Sequence, residues 1–169
     1  MFPRVLHVLT KSTQTSHRRA AAFAVYRGLV PEKVTQTSAK ASSSILALLH
    51  ASFLELPLWK EGRTGQPTSN LKETLEVIVT LLANAGPSPI FISKLLSPLI
   101  ATLYGLSYDI SQHRTVDPQL KGSVSGLLKS WAKIVNQMEG QDILWSVIDG
   151  GKECDWKFDM AGNFWKIQM

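Results

Sequence analysis

The stretch from Asn70 to Ile148 decides the fold, and it opens with NLKETLEVIVTLLANAGPSP (residues 70–89). Apolar residues recur at helical spacing after Asn70, and Glu73 stands three positions later, as in a capping box. Gly86 then predicts a helix stop, in the left-handed conformation that ends many helices. The stretch therefore predicts a ladder of amphipathic helices with sharp ends.

The second helix of the ladder is predicted in GPSPIFISKLLSPLIATLYGL (residues 86–106), where the apolar pattern continues on both sides of Pro98. Proline has no N–H to donate to the preceding turn, so the pattern predicts a kink at this residue. No run of about 18 uncharged apolar residues occurs in the chain, because Lys94 interrupts this most apolar segment. We therefore expect no membrane span.

The third helix is predicted in VDPQLKGSVSGLLKSWAKIV (residues 116–135). Asp117 and Pro118 indicate its start, because Asp accepts hydrogen bonds from free N–H groups and Pro fits the first turn. Its apolar face is expected to include Trp131 and Met138, and Gly140 is expected to end it.

A short final helix is predicted in EGQDILWSVIDGG (residues 139–151), with Trp145 in the core. Helix starts near Leu71 and Pro118 lie 47 residues apart. Stacked helical hairpins of the HEAT and armadillo type repeat every 40–47 residues or so. The spacing favours an all-α fold of such repeats, and a plain helical bundle remains the alternative.

The N-terminal part is predicted as a helix over residues 17–29 capped by Ser16, followed by a polar loop or frayed helix start over 32–43. A further helix from Ser43 is expected to end at Pro57. The predicted organisation is a basic helical segment (1–56), a linker (57–69), HEAT-like helical repeats (70–150) and a hairpin tail (151–169).

The tail differs from the rest because aromatic residues flank a glycine-containing turn over residues 159–163. This arrangement predicts a small β-hairpin, which is marginal by itself and must pack its aromatic residues on the helices. The flanking residues are Trp156, Phe158, Phe164, Trp165 and Ile167.

Positive charge is concentrated in the N-terminal third. The net charge of +5 divides into +6 over residues 1–66, where nine Lys or Arg meet three acids, and −1 over the remainder. Such asymmetry is typical of nucleic-acid binding, binding to an anionic membrane or a targeting segment. No acid precedes Glu32, so a cleaved mitochondrial presequence and a basic nucleic-acid-binding helical protein both stay open as alternatives.

Residues that carry chemistry do not converge in the sequence. The histidines at positions 7, 17, 50 and 113 lack metal-ligand spacing, and Cys154 is the single cysteine. We therefore expect no catalytic set, no metal and no cofactor, and we expect a scaffold or adaptor that binds proteins. Within the basic third, Arg18, Arg19 and Arg27 are expected to tune association with a partner protein, and Trp59 is expected to anchor it.

The segments 86–106, 116–135 and 139–151, together with the tryptophan-rich close of the chain, resemble the fungal RNA polymerase II assembly and nuclear-import factor family, over roughly residues 70–165. Its members are large HEAT-type α-solenoids, and their animal relatives are named for transport and Golgi organisation. The resemblance implies a non-enzymatic adaptor that binds polymerase subunits or import carriers in the cytoplasm and shuttles to the nucleus. Members are much longer than 169 residues, so it also implies a fragment, a truncated paralogue or an incomplete gene model.

Overall fold

The computed structural model is helical over most of its described length, and the predicted all-α class is confirmed. The structure describes residues 5, 8, 9, 12, 14–33, 35–54, 70–86, 88–113 and 117–149, with the backbone of 154–158 and 164–168. The helices are α1 (Thr15–Leu29), α2 (Gln36–Leu54), α3 (Asn70–Asn84), α4 (Pro89–Leu96), a 3-10 turn (Ser97–Leu99), α5 (Ile100–Gln112), α6 (Pro118–Ile134) and α7 (Gln137–Asp149).

The predicted cap of α1 at Ser16 is wrong, because the helix already begins at Thr15. Gln14 is the N-cap residue and makes no side-chain capping bond. The backbone N–H of Gln14 donates instead to Ser12 Oγ at 3.3 Å. Ser16 is therefore inside the first helical turn.

The segment predicted as a loop or frayed start, residues 32–43, is helical from Gln36 onward, so the loop prediction is wrong there. Thr35 Oγ1 accepts from the Ser38 N–H at 3.1 Å, and Ser38 Oγ accepts from the Thr35 N–H at 2.8 Å. This reciprocal pair is a capping box with serine in its second position. Further along, Ser43 Oγ donates to the Ala39 carbonyl at 3.0 Å, which satisfies the hydroxyl inside the helix. Small polar residues therefore extend α2 by about two turns.

The predicted start of α3 at Asn70 is confirmed, whereas the left-handed conformation predicted for Gly86 is wrong. The last turn satisfies its carbonyls in other ways. Asn84 Nδ2 donates to the Thr80 carbonyl at 2.8 Å, and the Ala85 N–H donates to the Leu81 carbonyl at 2.8 Å. The next helix begins at once, with Ser88 Oγ accepting from the Phe91 N–H at 3.4 Å.

Pro98 interrupts the apolar helix, as predicted, and the interruption takes the form of the 3-10 turn Ser97–Leu99 between α4 and α5. The combined stretch Pro89–Gln112 is long and apolar enough to cross a membrane by length and composition alone. Its most apolar window is 44% buried, and Phe91 and Leu103 are fully buried among the other helices. A core helix passes the same test, and the expected absence of a membrane span stays a prediction.

The predicted start of α6 is confirmed, because Asp117 Oδ1 accepts from the Gln119 N–H at 2.9 Å. Its predicted end at Gly140 is wrong, because α6 ends at Ile134 and Gly140 lies inside α7, fully enclosed. A Cβ at Gly140 would stand 3.1 Å from Val135 Cγ1. The glycine therefore permits close approach of α7 to the end of α6.

The C-terminal strands β1 (Cys154–Phe158) and β2 (Phe164–Gln168) pair antiparallel, with Trp156 opposite Lys166. The two strands lie on either side of residues 159–163, where the sequence predicts the turn of a hairpin. β1 runs beside α5, and β2 runs beside α3. The turn residues 159–163 and the side chains of both strands lie outside the described residues, so packing of their aromatic rings on the helices stays a prediction.

One apolar core joins the helices before and after residues 55–69. Val25 of α1 and Phe53 of α2 are fully buried, as are Ile78 of α3 and Phe91 of α4. The ring of Tyr26 meets the ring of Phe91 edge to face, with centroids 5.3 Å apart. α1 packs on α2, α3 and α4, whereas α6 packs on α3, α4 and α5. The result is a continuous layer of helices with α7 packed on α5.

Candidate functional site

A polar cluster fixes the position of α7. Trp131 Nε1 donates to Ser97 Oγ at 3.1 Å, and Ser97 Oγ donates to Glu139 Oε1 at 2.6 Å. Ser93 Oγ donates to the same carboxylate oxygen at 2.6 Å. The two hydroxyls stabilise the ionised carboxylate and hold the pKa of Glu139 below its ordinary value. We call these four residues the Glu139 cluster, and it ties α7 to α4, to the 3-10 turn and to α6.

The start of α7 is defined locally as well. Asn136 Oδ1 accepts from the Met138 N–H at 3.0 Å, which caps the helix. Glu139 lies in the first turn, where a carboxylate also interacts favourably with the helix dipole. The Asn136 cap and the Glu139 cluster together determine which face of α7 points inward.

Large apolar side chains line the outward face of α7. The exposed fraction is 74% for Met138, 62% for Trp145, 67% for Ile148 and 38% for Leu144. Their spacing of three, four and seven residues places them on one side of the helix. Both the core position predicted for Trp145 and the α6 face predicted for Met138 are therefore wrong. We call these four residues the α7 stripe.

The reason for this error is that α7 is a separate helix with its own inner face. Ile143 and Val147 are partly buried against the core, and Gly140 is enclosed. These residues occupy the inner face, so the larger side chains point away from it. Two carboxylates, Asp142 and Asp149, are exposed on the same helix.

A groove runs between α3 and α6. Its volume is ≈ 630 Å³. Gly122 and Gly126 line it from α6, and a Cβ placed at either would meet no atom within 4 Å. We call it the α3–α6 groove, and its lining residues are Val79, Leu82, Ala83, Gln119, Gly122, Ser123, Gly126, Leu127 and Ser130.

A second hollow of ≈ 500 Å³ adjoins the groove. The two share the lining residues Leu82, Ala83 and Ser130. Arg19 lines this second part. Lys129 and Lys133 are exposed on α6, three residues after Gly126 and Ser130 respectively, so they lie along the same side of the helix. The groove thus has an apolar interior and a basic rim.

The structure separates the residues predicted to bind a partner. Arg19 is exposed and lines the second hollow, whereas Arg18 is half-buried and its Nε is enclosed without a hydrogen-bond partner. Arg27 pairs with Glu32 at 2.5 Å, and the hydrogen bond from Arg27 lowers the pKa of Glu32. Trp59 lies outside the described residues. The predicted binding roles of all four stay predictions.

Two polar contacts hold α4 from the other side. His50 is buried, and its Nε2 lies 3.0 Å from the Leu95 carbonyl oxygen. Burial lowers the pKa of His50, because the charged ring loses its hydration. Lys94 Nζ donates to the Leu29 carbonyl at 3.0 Å at the end of α1. Within the described part of the chain, no three His, Cys, Asp or Glu side chains converge as a metal site would need.

Sequence reasoning missed the α7 stripe and the groove. The four-residue spacing of Gly122, Gly126 and Ser130 is visible in the sequence and indicates a smooth helix face. The break after Val135 was hidden because apolar residues continue across it.

Comparison of the chain with protein-family models, curated proteins and solved structures finds no significant match.

Proposed function

We propose that this chain is a non-enzymatic helical scaffold or adaptor that binds partner proteins through the α7 stripe. The observation that carries the proposal is the exposure of four large apolar side chains on one helix face. Contiguous apolar surface of this kind marks interaction sites in proteins, and tryptophan and methionine are enriched in them. The Glu139 cluster supports the proposal further, because it presents the stripe on a helix whose orientation is already fixed.

We infer that the helices form HEAT-like repeats. In such arrays each helix packs on its neighbour in sequence and on the helix two positions further along. If Pro89–Gln112 is taken as one kinked helix, four such pairs two positions apart are in contact. They are α1 with α3, α2 with the 3-10 turn, α3 with α6, and α5 with α7. These four contacts support a stacked array, whereas the contact of α1 with α4, three positions further along, is one that a bundle also makes.

We further propose a narrower role in RNA polymerase II assembly and nuclear import, with residence in the cytoplasm and shuttling to the nucleus. This role rests on the sequence resemblance over residues 70–165. An adaptor of this kind needs a surface for its cargo and no catalytic residues. The α7 stripe would supply that surface.

The test compares partners recovered with the wild-type chain and with Trp145→Ser, by affinity purification and mass spectrometry from a fungal extract. Phe23→Ser is the matched control, because Phe23 is an exposed aromatic residue on α1, 60% accessible, away from the stripe. We expect a set of proteins that Trp145→Ser loses and Phe23→Ser retains. Because both positions are exposed, neither substitution should change the helical circular dichroism spectrum.

Identical partner sets for the wild type and Trp145→Ser would contradict binding through the stripe. The narrower role has its own criterion. RNA polymerase II subunits or import carriers should be among the proteins that Trp145→Ser loses. A stripe-dependent set without them would remove the polymerase role and leave the scaffold function standing.

A further inference from the structure

We propose that the α7 stripe of one molecule docks in the α3–α6 groove of a second copy of this chain, so that copies associate head to tail. The inference rests on the proposed function, because it names a partner for the same stripe. It comes from two surfaces of the described chain that complement each other in shape and charge and share no residue.

The shapes match as ridge and groove. The α7 stripe presents the large side chains of Met138, Trp145 and Ile148. The α6 side of the groove carries no side chain at Gly122 and Gly126, and a Cβ at either would meet open space. The stripe spans eleven residues, which are ten steps or about 15 Å of helix, and the α6 side of the groove from Gly122 to Ser130 spans about 12 Å. Small residues on one helix permit close approach of large side chains from another.

The charges match as well. Asp142 and Asp149 are exposed on α7, within one or two turns of the stripe residues. Lys129 and Lys133 are exposed along the groove side of α6, and Arg19 lines the adjoining hollow. On the α3 side, exposed or half-buried positions 72 and 76 hold one lysine and one glutamate, whose charges offset each other. The rim therefore has a net charge of about +3 toward a helix with two carboxylates.

The same charges disfavour the symmetric alternative. In an isologous dimer of two α7 stripes, the carboxylates of both copies would be brought together. Like charges opposed across an interface cost free energy, whereas the groove offers opposite charges. A head-to-tail contact also leaves each molecule with one free stripe and one free groove, so association continues beyond a dimer.

The experiment measures the mass of the purified full chain by sedimentation velocity at increasing concentration, from about 1 to about 500 μM, a range that spans weak complexes. We expect the mass to rise with concentration and the rise to diminish at high salt. Trp145→Ser removes the anchor of the stripe. Gly126→Leu places a large side chain in the groove at a position where a Cβ meets no atom within 4 Å. Leucine is a better helix former than glycine, so the fold is retained. Each variant alone should associate at least about tenfold more weakly.

Mixing the two variants gives the decisive result. Gly126→Leu keeps an intact stripe, and Trp145→Ser keeps an intact groove. Their equimolar mixture should form a 1:1 complex that does not grow further. A symmetric stripe-to-stripe dimer predicts the reverse, with Gly126→Leu dimeric by itself and no complex in the mixture, and that result overturns the proposal.

The charge contribution has a reciprocal test. Asp142→Lys with Asp149→Lys should weaken self-association, and so should Lys129→Glu with Lys133→Glu. Mixing these two double variants places reversed charges opposite each other and should restore a complex. Failure to restore it overturns the assigned docking mode.

Failure of this inference and failure of the proposed function are distinguishable. A wild-type chain that stays monomeric over the whole concentration range overturns docking between copies. Loss of other proteins by Trp145→Ser in the purification experiment would then still support the scaffold function. Retention of every partner together with monomeric behaviour overturns both.

Discussion

Ser97 Oγ donates to Glu139 Oε1 at 2.6 Å while it accepts from the indole N–H of Trp131 at 3.1 Å. One hydroxyl therefore connects a buried tryptophan on α6 with a carboxylate in the first turn of α7. A hydroxyl suits this position because it is both donor and acceptor. The orientation of α7, and with it the exposure of the stripe, depends on this relationship between Ser97 and Glu139.

Ser97→Ala should lower the free energy of unfolding by about 1–3 kcal/mol, because the buried indole N–H loses its acceptor. Urea denaturation followed by circular dichroism measures the change. Ser146→Ala is the matched control, since its exposed hydroxyl donates only to the nearby Ile143 carbonyl. Its effect should stay within about 0.5 kcal/mol. Equal effects of the two substitutions would contradict the structural role of Ser97.

Glu139 should make the free energy of unfolding depend on pH in the acid range. The hydroxyls of Ser93 and Ser97 lower its pKa in the folded chain from an ordinary value of 4.5. A lowered carboxylate pKa stabilises the fold above the unfolded pKa, and this contribution is lost as pH falls through the folded pKa. Between pH 6 and pH 3, Glu139→Gln should therefore lose less stability than the wild type. Glu76→Gln serves as the control, and an identical pH slope for wild type and Glu139→Gln would argue against the prediction.

His50 should contribute a second pH dependence, at higher pH. Its folded pKa is lowered from 6.5, first by burial, which the hydrogen bond to the Leu95 carbonyl partly offsets. The folded state therefore binds fewer protons than the unfolded state, so stability is highest above pH 6.5 and falls as pH drops through that value. Thermal unfolding between pH 8 and pH 5 should show this fall in the wild type. His50→Gln should remove the fall over that interval, whereas His17→Gln, at an exposed position, should retain it.

Asp117→Ala should cost about 1 kcal/mol, because Asp117 Oδ1 caps α6 through the Gln119 N–H. Asp142→Ala, at an exposed position in the middle of α7, is the matched control and should change stability by less. Chemical denaturation of both variants measures the difference. A melting curve for Asp117→Ala that coincides with the wild type would mean that the cap contributes nothing to α6.

The sequence predicted those features that depend on neighbouring residues. Asp117 marks a helix start because its side chain caps the N–H of Gln119, two residues on, and capping is a local interaction. Pro98 interrupts its helix because it lacks an N–H, whatever surrounds it. Local reasoning failed at Gly140, which occurs inside a helix for the sake of close packing on Val135. It also failed at residues 36–43, where serine hydroxyls bond to the helix backbone and do not break it.

By itself, the sequence determined the helical class, several helix starts and the presence of apolar faces, since these follow from periodicity and local hydrogen bonding. Only the tertiary structure decided which apolar faces are covered. Trp131 and Trp145 occur in similar amphipathic patterns, yet one is 2% exposed and the other 62%. The difference arises because Ser97 and Glu139, 42 positions apart, fix α7 with its smaller side chains inward. Periodicity shows that a helix has an apolar side, and only packing between distant residues determines whether a neighbour covers it.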